Sequence, residues 1–213
     1  MSLLFEGLEG GPFLENTWIV GDPESGDAVL VDPGSFDAAD LDALVGRLEH
    51  HGLTPRAIVN THGHIDHIAG VHALQERFGL PFYIHPGEKM WLSSLPQQCA
   101  MFGVPPIPTP KVDHWISDGD LLEFGTLKIE VRHLPGHTKG GCALLLDGHV
   151  LVGDTLFAGS VGRTDFPDGD ADTLARSIRE GLYSLDDETI VHSGHGPDTT
   201  IGRERQTNPF VRG

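Results

Sequence analysis

The 213-residue chain is poor in several things, and each shortage removes a class of function. It has two cysteines, Cys99 and Cys142, too few for a disulfide framework and in no metal-binding spacing, so both are expected to be free, buried thiols. It lacks any apolar run near the roughly 18 residues that a membrane span needs. Its start, MSLLFEGLEGG, has neither the basic residues nor the apolar stretch of a secretory signal, so the expected compartment is the cytoplasm. Basic residues are scarce: 14 Lys and Arg against 31 Asp and Glu, a formal charge of −17. Such a chain repels the phosphate backbone of nucleic acid. Low-complexity segments and short-period repeats are also missing. What remains is an ordinary globular composition, 38% hydrophobic and 21% charged, expected to form one domain over residues 1–213. A homo-oligomer is compatible with it.

Short apolar runs bounded by turn residues predict strands at ENTWIVG, DAVLVD, RAIVN, LLEF, LKIEVRHL, CALLLD, HVLVGD and TIVHS. Leu41, Leu44, Val45 and Leu48 recur at helical spacing. So do Ile68, Val71, Leu74 and Phe78, in a helix expected to stop at Gly79, and Leu174, Ile178 and Leu182 in a third. Strands outnumber helices and the two do not alternate strictly. That order suits an α+β fold of two stacked sheets with helices outside. Residues 93–112, rich in proline, read as a long loop of the kind that is often functional, with Met101 and Phe102 as candidates for an apolar cleft wall or for loop packing.

What the chain has in abundance is histidine, 13 in all, and residues 61–67 read THGHIDH. His62 and His64 leave a strand end two positions apart, so in extended backbone they project to one side and can converge on one metal. Gly63 keeps the space between them clear. Asp66 and His67 are adjacent and diverge from that line, to serve a second metal or to orient the first; the plainer reading is a solvated polar loop. Six residues cannot fill two metal shells. Further candidates follow other apolar strands into Gly-containing turns: His137 in HLPGHTKGG, Asp154 in VLVGD and His195 in VHSGHGP. Histidine and carboxylate donors without thiolate suit zinc, iron or manganese alike.

THGHIDH, PGHTKGG, VGDTLF and SGHGP, in this order, resemble the metallo-β-lactamase superfamily, and the residues between them resemble its glyoxalase II branch, in particular short glyoxalase II-like (hydroxyacylglutathione hydrolase-like) enzymes. The resemblance implies a four-layer αββα sandwich with the site at one edge of the paired sheets. It implies that His62, His64 and His137 hold one divalent metal, that Asp66, His67 and His195 hold the other, and that Asp154 bridges them, with zinc as first choice and iron or manganese as alternatives. Asp66 is also our candidate catalytic carboxylate. Asp32 in VDPG resembles an acid that orients a ligand, and Arg163 in GRTDF a basic residue that binds the substrate's carboxylate. Lys139 could assist but reads better as a surface lysine. His50, His51, His72, His85, His114, His133, His149 and His192 match no ligand position.

The activity implied is hydrolysis of a small, anionic acyl thioester, S-D-lactoylglutathione being the best candidate. A water shared by two such metals loses a proton near neutral pH and becomes the nucleophile. Two divalent cations against Asp66, Asp154 and hydroxide would leave the pocket at about +1 inside an acidic chain, a field that draws anions. Two alternatives use much the same residues: a persulfide dioxygenase with one iron on His62, His137 and Asp154, and a non-catalytic metal-binding module. The helical domain that supplies part of the glutathione site in two-domain glyoxalase II has no counterpart in the short tail after His195.

Overall fold

The structure, a computed structural model, describes residues 2–213. Six strands form the first sheet: β1 (Leu4–Gly10), β2 (Glu15–Asp22), β3 (Asp27–Val31), β4 (Thr54–Val59), β5 (Phe82–Ile84) and β6 (His114–Trp115), hydrogen-bonded in that order. The first three are antiparallel and the last four parallel. The second sheet takes β7 (Leu121–Phe124), β8 (Leu127–His133), β9 (Cys142–Leu146) and β10 (His149–Gly153). A two-stranded excursion, β11 (Leu156–Phe157) and β12 (Ser160–Val161), precedes its last members, β13 (Ile190–Ser193) and β14 (Thr199–Thr200). Its order is β14-β13-β10-β9-β8-β7, with β10 and β13 parallel.

Alternation along the strands builds the layers. In β2, β3 and β4, Trp18, Val20, Val29, Val31, Ala57 and Val59 face the second sheet, where Leu127, Ile129, Val131, Cys142, Leu144 and Leu151 meet them. The intervening Ile19, Ala28, Leu30 and Ile58 turn outward onto α1 (Ala38–His51), α2 (Ile65–Ile68), α3 (Val71–Phe78), α4 (Lys89–Ser93) and α5 (Leu95–Phe102). On the far side, Ala143, Val150 and Val152 pack under α6 (Ala171–Ser177), its continuation to Leu182, and α7 (Ile201–Thr207). Three apolar layers therefore separate four backbone layers, the expected αββα sandwich. Cys99 and Cys142 are buried and free.

Three expectations need correction. The helix over Ile68–Phe78 is two helices, because the chain at Gly70 crosses the 33–35 turn so closely that a Cβ there would lie 2.6 Å from the Ser35 carbonyl oxygen. Phe78, expected to face inward, ends the second of them and is 38% exposed. Residues 93–112 are not all loop: α5 carries Leu95 and Cys99 into the outer core and ends at a left-handed Gly103. The sequence reading also missed β1, a half-buried edge strand.

Leu144 is fully buried at the middle of the inter-sheet layer. Leu144→Ala should lower the free energy of unfolding by about 2–5 kcal/mol, seen in urea as a lower midpoint at unchanged slope.

Candidate metal centre

Five strands deliver polar residues to one edge of the stacked sheets. Asp32 follows β3; Thr61, His62 and His64 follow β4; His137 follows β8; Asp154 follows β10; His195 follows β13. Asp66 and His67 come from α2, the single turn that begins where THGH ends. Glycine lets these loops close. At Gly194 an added Cβ would stand 2.5 Å from Asp154 Oδ1 and 2.6 Å from His67 Cε1. At Gly153, in a left-handed conformation, it would stand 2.1 Å from Thr61 Oγ1.

Two groups of side chains result. His62 Nε2 and His137 Nε2 lie 3.1 and 2.9 Å from His64 Nδ1. With metal–nitrogen bonds of about 2.0–2.1 Å, ligands at tetrahedral to octahedral angles stand about 2.9–3.4 Å apart, so these nitrogens fit one ion. Burial pulls His62 well below the ordinary imidazole range and His64 down to about 3, and neighbouring histidines add to both shifts. His137 is lowered by burial too. All three are neutral near pH 7, the form that donates a lone pair to a metal.

Asp66, His67 and His195 make the second group. His195 Nε2 is 3.3 Å from Asp66 Oδ2. Asp154 stands between the groups: Oδ1 is 3.3 Å from His67 Nε2 and 3.6 Å from His195 Nε2, and Oδ2 is 3.7 Å from His137 Nε2. Burial opposes the ionisation of Asp154, but the field of His67 and the other histidines outweighs it and holds the carboxyl far below its usual range. Burial likewise disfavours a charged His67, yet Asp154 and Asp32 raise it well above the ordinary value. Asp66 stays lowered because its contact with His195 and the nearby His67 overcome burial. His67 Nε2 and Asp154 Oδ1 are both buried without a hydrogen-bond partner among the described residues. Buried polar atoms left without a partner beside carboxylates fit a cation, which would take the place of the His67 proton.

Behind these atoms stand groups that fix the rings. Asp32 accepts from the Thr61 N–H at 2.7 Å, from the Thr61 hydroxyl, and from His67 Nδ1 at 3.0 Å. It can also form a metal-capable group with His62 and His67, but its oxygens are already engaged. The Arg163 carbonyl faces His137 Nδ1 at 2.7 Å, and the Leu14 carbonyl faces His195 Nδ1 at 3.2 Å. Such contacts select the tautomer that frees Nε2.

Sequence reasoning overlooked two buried carboxylates. Glu15, in β2, lies 3.8 Å from His67 Nδ1, its pKa raised well above normal by burial. Glu88 accepts the N–H of Gly63, between His62 and His64, and that of Gly140, just past His137, both at 2.8 Å. It thus pins together the two loops of the first group. The signal was present in IHPGE, a carboxylate entering a Gly turn after a short apolar strand.

Arg163 carries its side chain on the surface, paired with Asp165 at 2.6 and 2.7 Å and lying over the Phe166 ring. Lys139 is exposed. Met101 and Phe102 do line an apolar cleft next to His64. Among the described residues, the remaining eight histidines join no metal-capable group.

A family model described as the metallo-beta-lactamase superfamily matches residues 10–195. The chain belongs to that superfamily. Over 203 residues, 93% of each chain, it is 37% identical to hydroxyacylglutathione hydrolase GloC of Haemophilus influenzae. Over 199 residues, 91% of this chain and 70% of the relative, it is 35% identical to the mitochondrial persulfide dioxygenase ETHE1 of Bos taurus. Two crystal structures are similar throughout. One, BLEG-1 B3 metallo-beta-lactamase, has 38% identity and a TM-score of 0.89 over 99% of this chain and 100% of that one. The other, TTHA1623 in a di-iron-bound form, has 37% identity and a TM-score of 0.84 over 97% and 100%. The resemblance read from the four motifs is borne out, and with it a metal-binding fold.

Glu88 offers a test of how the first group is held. Burial raises its pKa from 4.5 to about 7. A carboxyl raised on folding binds more protons native than unfolded between those values, so its stabilising share is present at low pH and fades as pH rises. In metal-free protein, stability relative to Glu88→Gln should fall by about 1–3 kcal/mol from pH 4.5 to 8. Urea unfolding at several pH values reads this out, and a pH-independent difference contradicts it.

Proposed function

We propose that the protein is a metal-dependent hydrolase of small acyl thioesters, its 213 residues forming one catalytic domain, with S-D-lactoylglutathione as the first substrate to try. The observation that carries this reading is Asp154 standing within 3.3–3.7 Å of histidines from both groups. Under it, His62, His64 and His137 hold one divalent ion, Asp66, His67 and His195 a second, and Asp154 reaches both. Zinc is our first choice; the donor set equally admits manganese or iron, and iron has a precedent in the di-iron form of TTHA1623. Metals held this way lower the pKa of water toward neutrality and polarise a carbonyl oxygen.

The chain's own residues supply position and charge. Asp32 and the Arg163 and Leu14 carbonyls set the rings of His67, His137 and His195. Asp66, beside His195, is the carboxylate best placed to take a proton at the site's edge. A thiol of pKa about 8.5 leaves as thiolate without a proton donor, so no further general acid is required. The name of the GloC relative supports a thioester, and with it a small anionic partner.

A second reading, persulfide oxidation with one iron on His62, His137 and Asp154, is favoured by the 35% identity to ETHE1. The deciding experiment incubates zinc-loaded and iron-loaded protein separately with lactoylglutathione and with glutathione persulfide, following thiol release and dissolved oxygen, with a β-lactam as a third substrate. Thioester cleavage without oxygen uptake is expected. Iron-dependent oxygen uptake with persulfide, and no thioester cleavage by either form, would replace the hydrolase with the dioxygenase; no turnover of any substrate would leave a metal-binding module.

Asp154→Asn preserves shape and removes the shared charge. It should lower metal retention on dialysis and cut turnover by more than about 100-fold, beyond the loss usual for residues that only support ligands. Arg163→Ala should cost about tenfold or less, since its guanidinium is engaged by Asp165.

A further inference from the structure

Next to the first histidine group lies a cleft of about 230 Å³ whose walls are Met90, Trp91, Met101, Phe102 and Phe166. His64 is part of its lining, so the cleft and the candidate metal centre share a residue. The Trp91 and Phe166 rings meet the His64 ring edge-on, at 4.2 and 4.9 Å between centroids. Met90, Met101 and Phe102 are 42%, 73% and 41% exposed, large apolar groups that the chain itself leaves uncovered. Contiguous apolar surface of this kind marks a place where something binds.

Most polar atoms around the cleft are already engaged, the exposed Gln97 amide and the ring atom His64 Nε2 excepted. Trp91 Nε1 donates to both oxygens of Asp168. Gln98 accepts from the Ile65 N–H and donates to the Trp91 carbonyl, and Ser94 donates to that same carbonyl. No Lys or Arg lines the cleft; nearby Arg163 is bound by Asp165 and flattened on Phe166. A glutathionyl group carries two carboxylates and an ammonium, and would be desolvated here without a charged partner. An alkyl or aryl group would lose water and nothing else.

We propose that this cleft is a substrate subsite that takes an apolar arm of the thioester, aliphatic or aromatic, and that the enzyme prefers such thioesters to the glutathione kind. The proposal rests on the hydrolase reading above for the word thioester, and on the cleft alone for the word apolar. Occupancy by the substrate, rather than by a second protein, follows from the continuity of the cleft with His64: a group bound there is within a few bonds of the reacting carbonyl. Phe102 is braced from behind by Phe13, 5.1 Å away edge-to-face, which keeps the wall in place.

The test uses metal-loaded protein and two substrate series, straight-chain acyl groups from acetyl to octanoyl on N-acetylcysteamine, and acetyl thioesters of straight-chain alkyl thiols. In at least one series kcat/KM should rise about three- to fourfold per added methylene over the first few, and exceed the value for lactoylglutathione. Met101→Asp, at an exposed position where folding is not at risk, should flatten that rise. Independently of turnover, calorimetry should detect octanoate binding that weakens at least tenfold in Met101→Asp. Hydrolysis with no chain-length dependence in either series, and no octanoate binding, would overturn the subsite and leave the hydrolase reading intact. Octanoate binding that Met101→Asp abolishes, with no thioester cleaved, would uphold the apolar subsite and sink the hydrolase. Self-association in sedimentation that Met101→Asp abolishes, with no octanoate binding, would give the patch to a second copy of the chain and overturn the proposal.

Discussion

Three hydrogen bonds to one buried carboxylate fix the frame on which the site is built. Asp32, at the end of β3, accepts from the main chain and hydroxyl of Thr61, beside His62, and from His67 on α2. A strand end, the turn leaving its neighbour and a one-turn helix are thereby locked at a single point. The backbone at Asp32 is left-handed, a conformation that Asp tolerates better than most side chains and that persists where the surroundings demand it. Asn60 adds a parallel tie, donating to the His67 carbonyl at 2.7 Å. Glu88 does the same service on the other side, where the Gly63 and Gly140 loops meet. The candidate ligand atoms are therefore positioned from behind, by buried groups that engage the far side of each loop or ring.

The electrostatics of the two halves differ in a way that follows from who stands nearest. His62, His64 and His137 face one another and a mostly apolar wall, so burial keeps them neutral. His67 faces Asp154 on one edge and Asp32 on the other, and burial loses to their charge. Glu15 and Glu88, buried without a cation in hydrogen-bonding contact, go the opposite way from Asp66 and Asp154. The same fold thus prepares one group of uncharged donors and one group with carboxylates seeking positive charge, with Asp154 standing between them.

Much of this was legible in the chain because it obeys local rules. DAVLV and CALLL are short, nearly continuous apolar runs closed by turn residues, which is how strands covered on both faces read. The histidine-rich turn and the three later strand ends are legible for a related reason: each is a polar residue beside a glycine where an apolar strand runs out into a turn, at the sheet edge. The failures have a common cause in tertiary contact. The split of the helix at Gly70 depends on the 33–35 turn passing beside it. Glu88 matters through two amides distant in sequence, so no spacing announces it. Proline-rich residues 93–112 hide α5, whose helix starts with Pro96 in its first turn, where the missing N–H costs nothing.

The central claim is that two metal ions share Asp154, and anomalous diffraction at the metal's absorption edge tests it most directly. Crystals of the metal-loaded protein should show two peaks about 3.5–4 Å apart. One should lie about 2.0–2.2 Å from nitrogens of His62, His64 and His137, the other at that distance from Asp66, His67 and His195, with a carboxylate oxygen of Asp154 reaching each. A single peak at full loading, or two peaks of which Asp154 touches only one, would contradict the account.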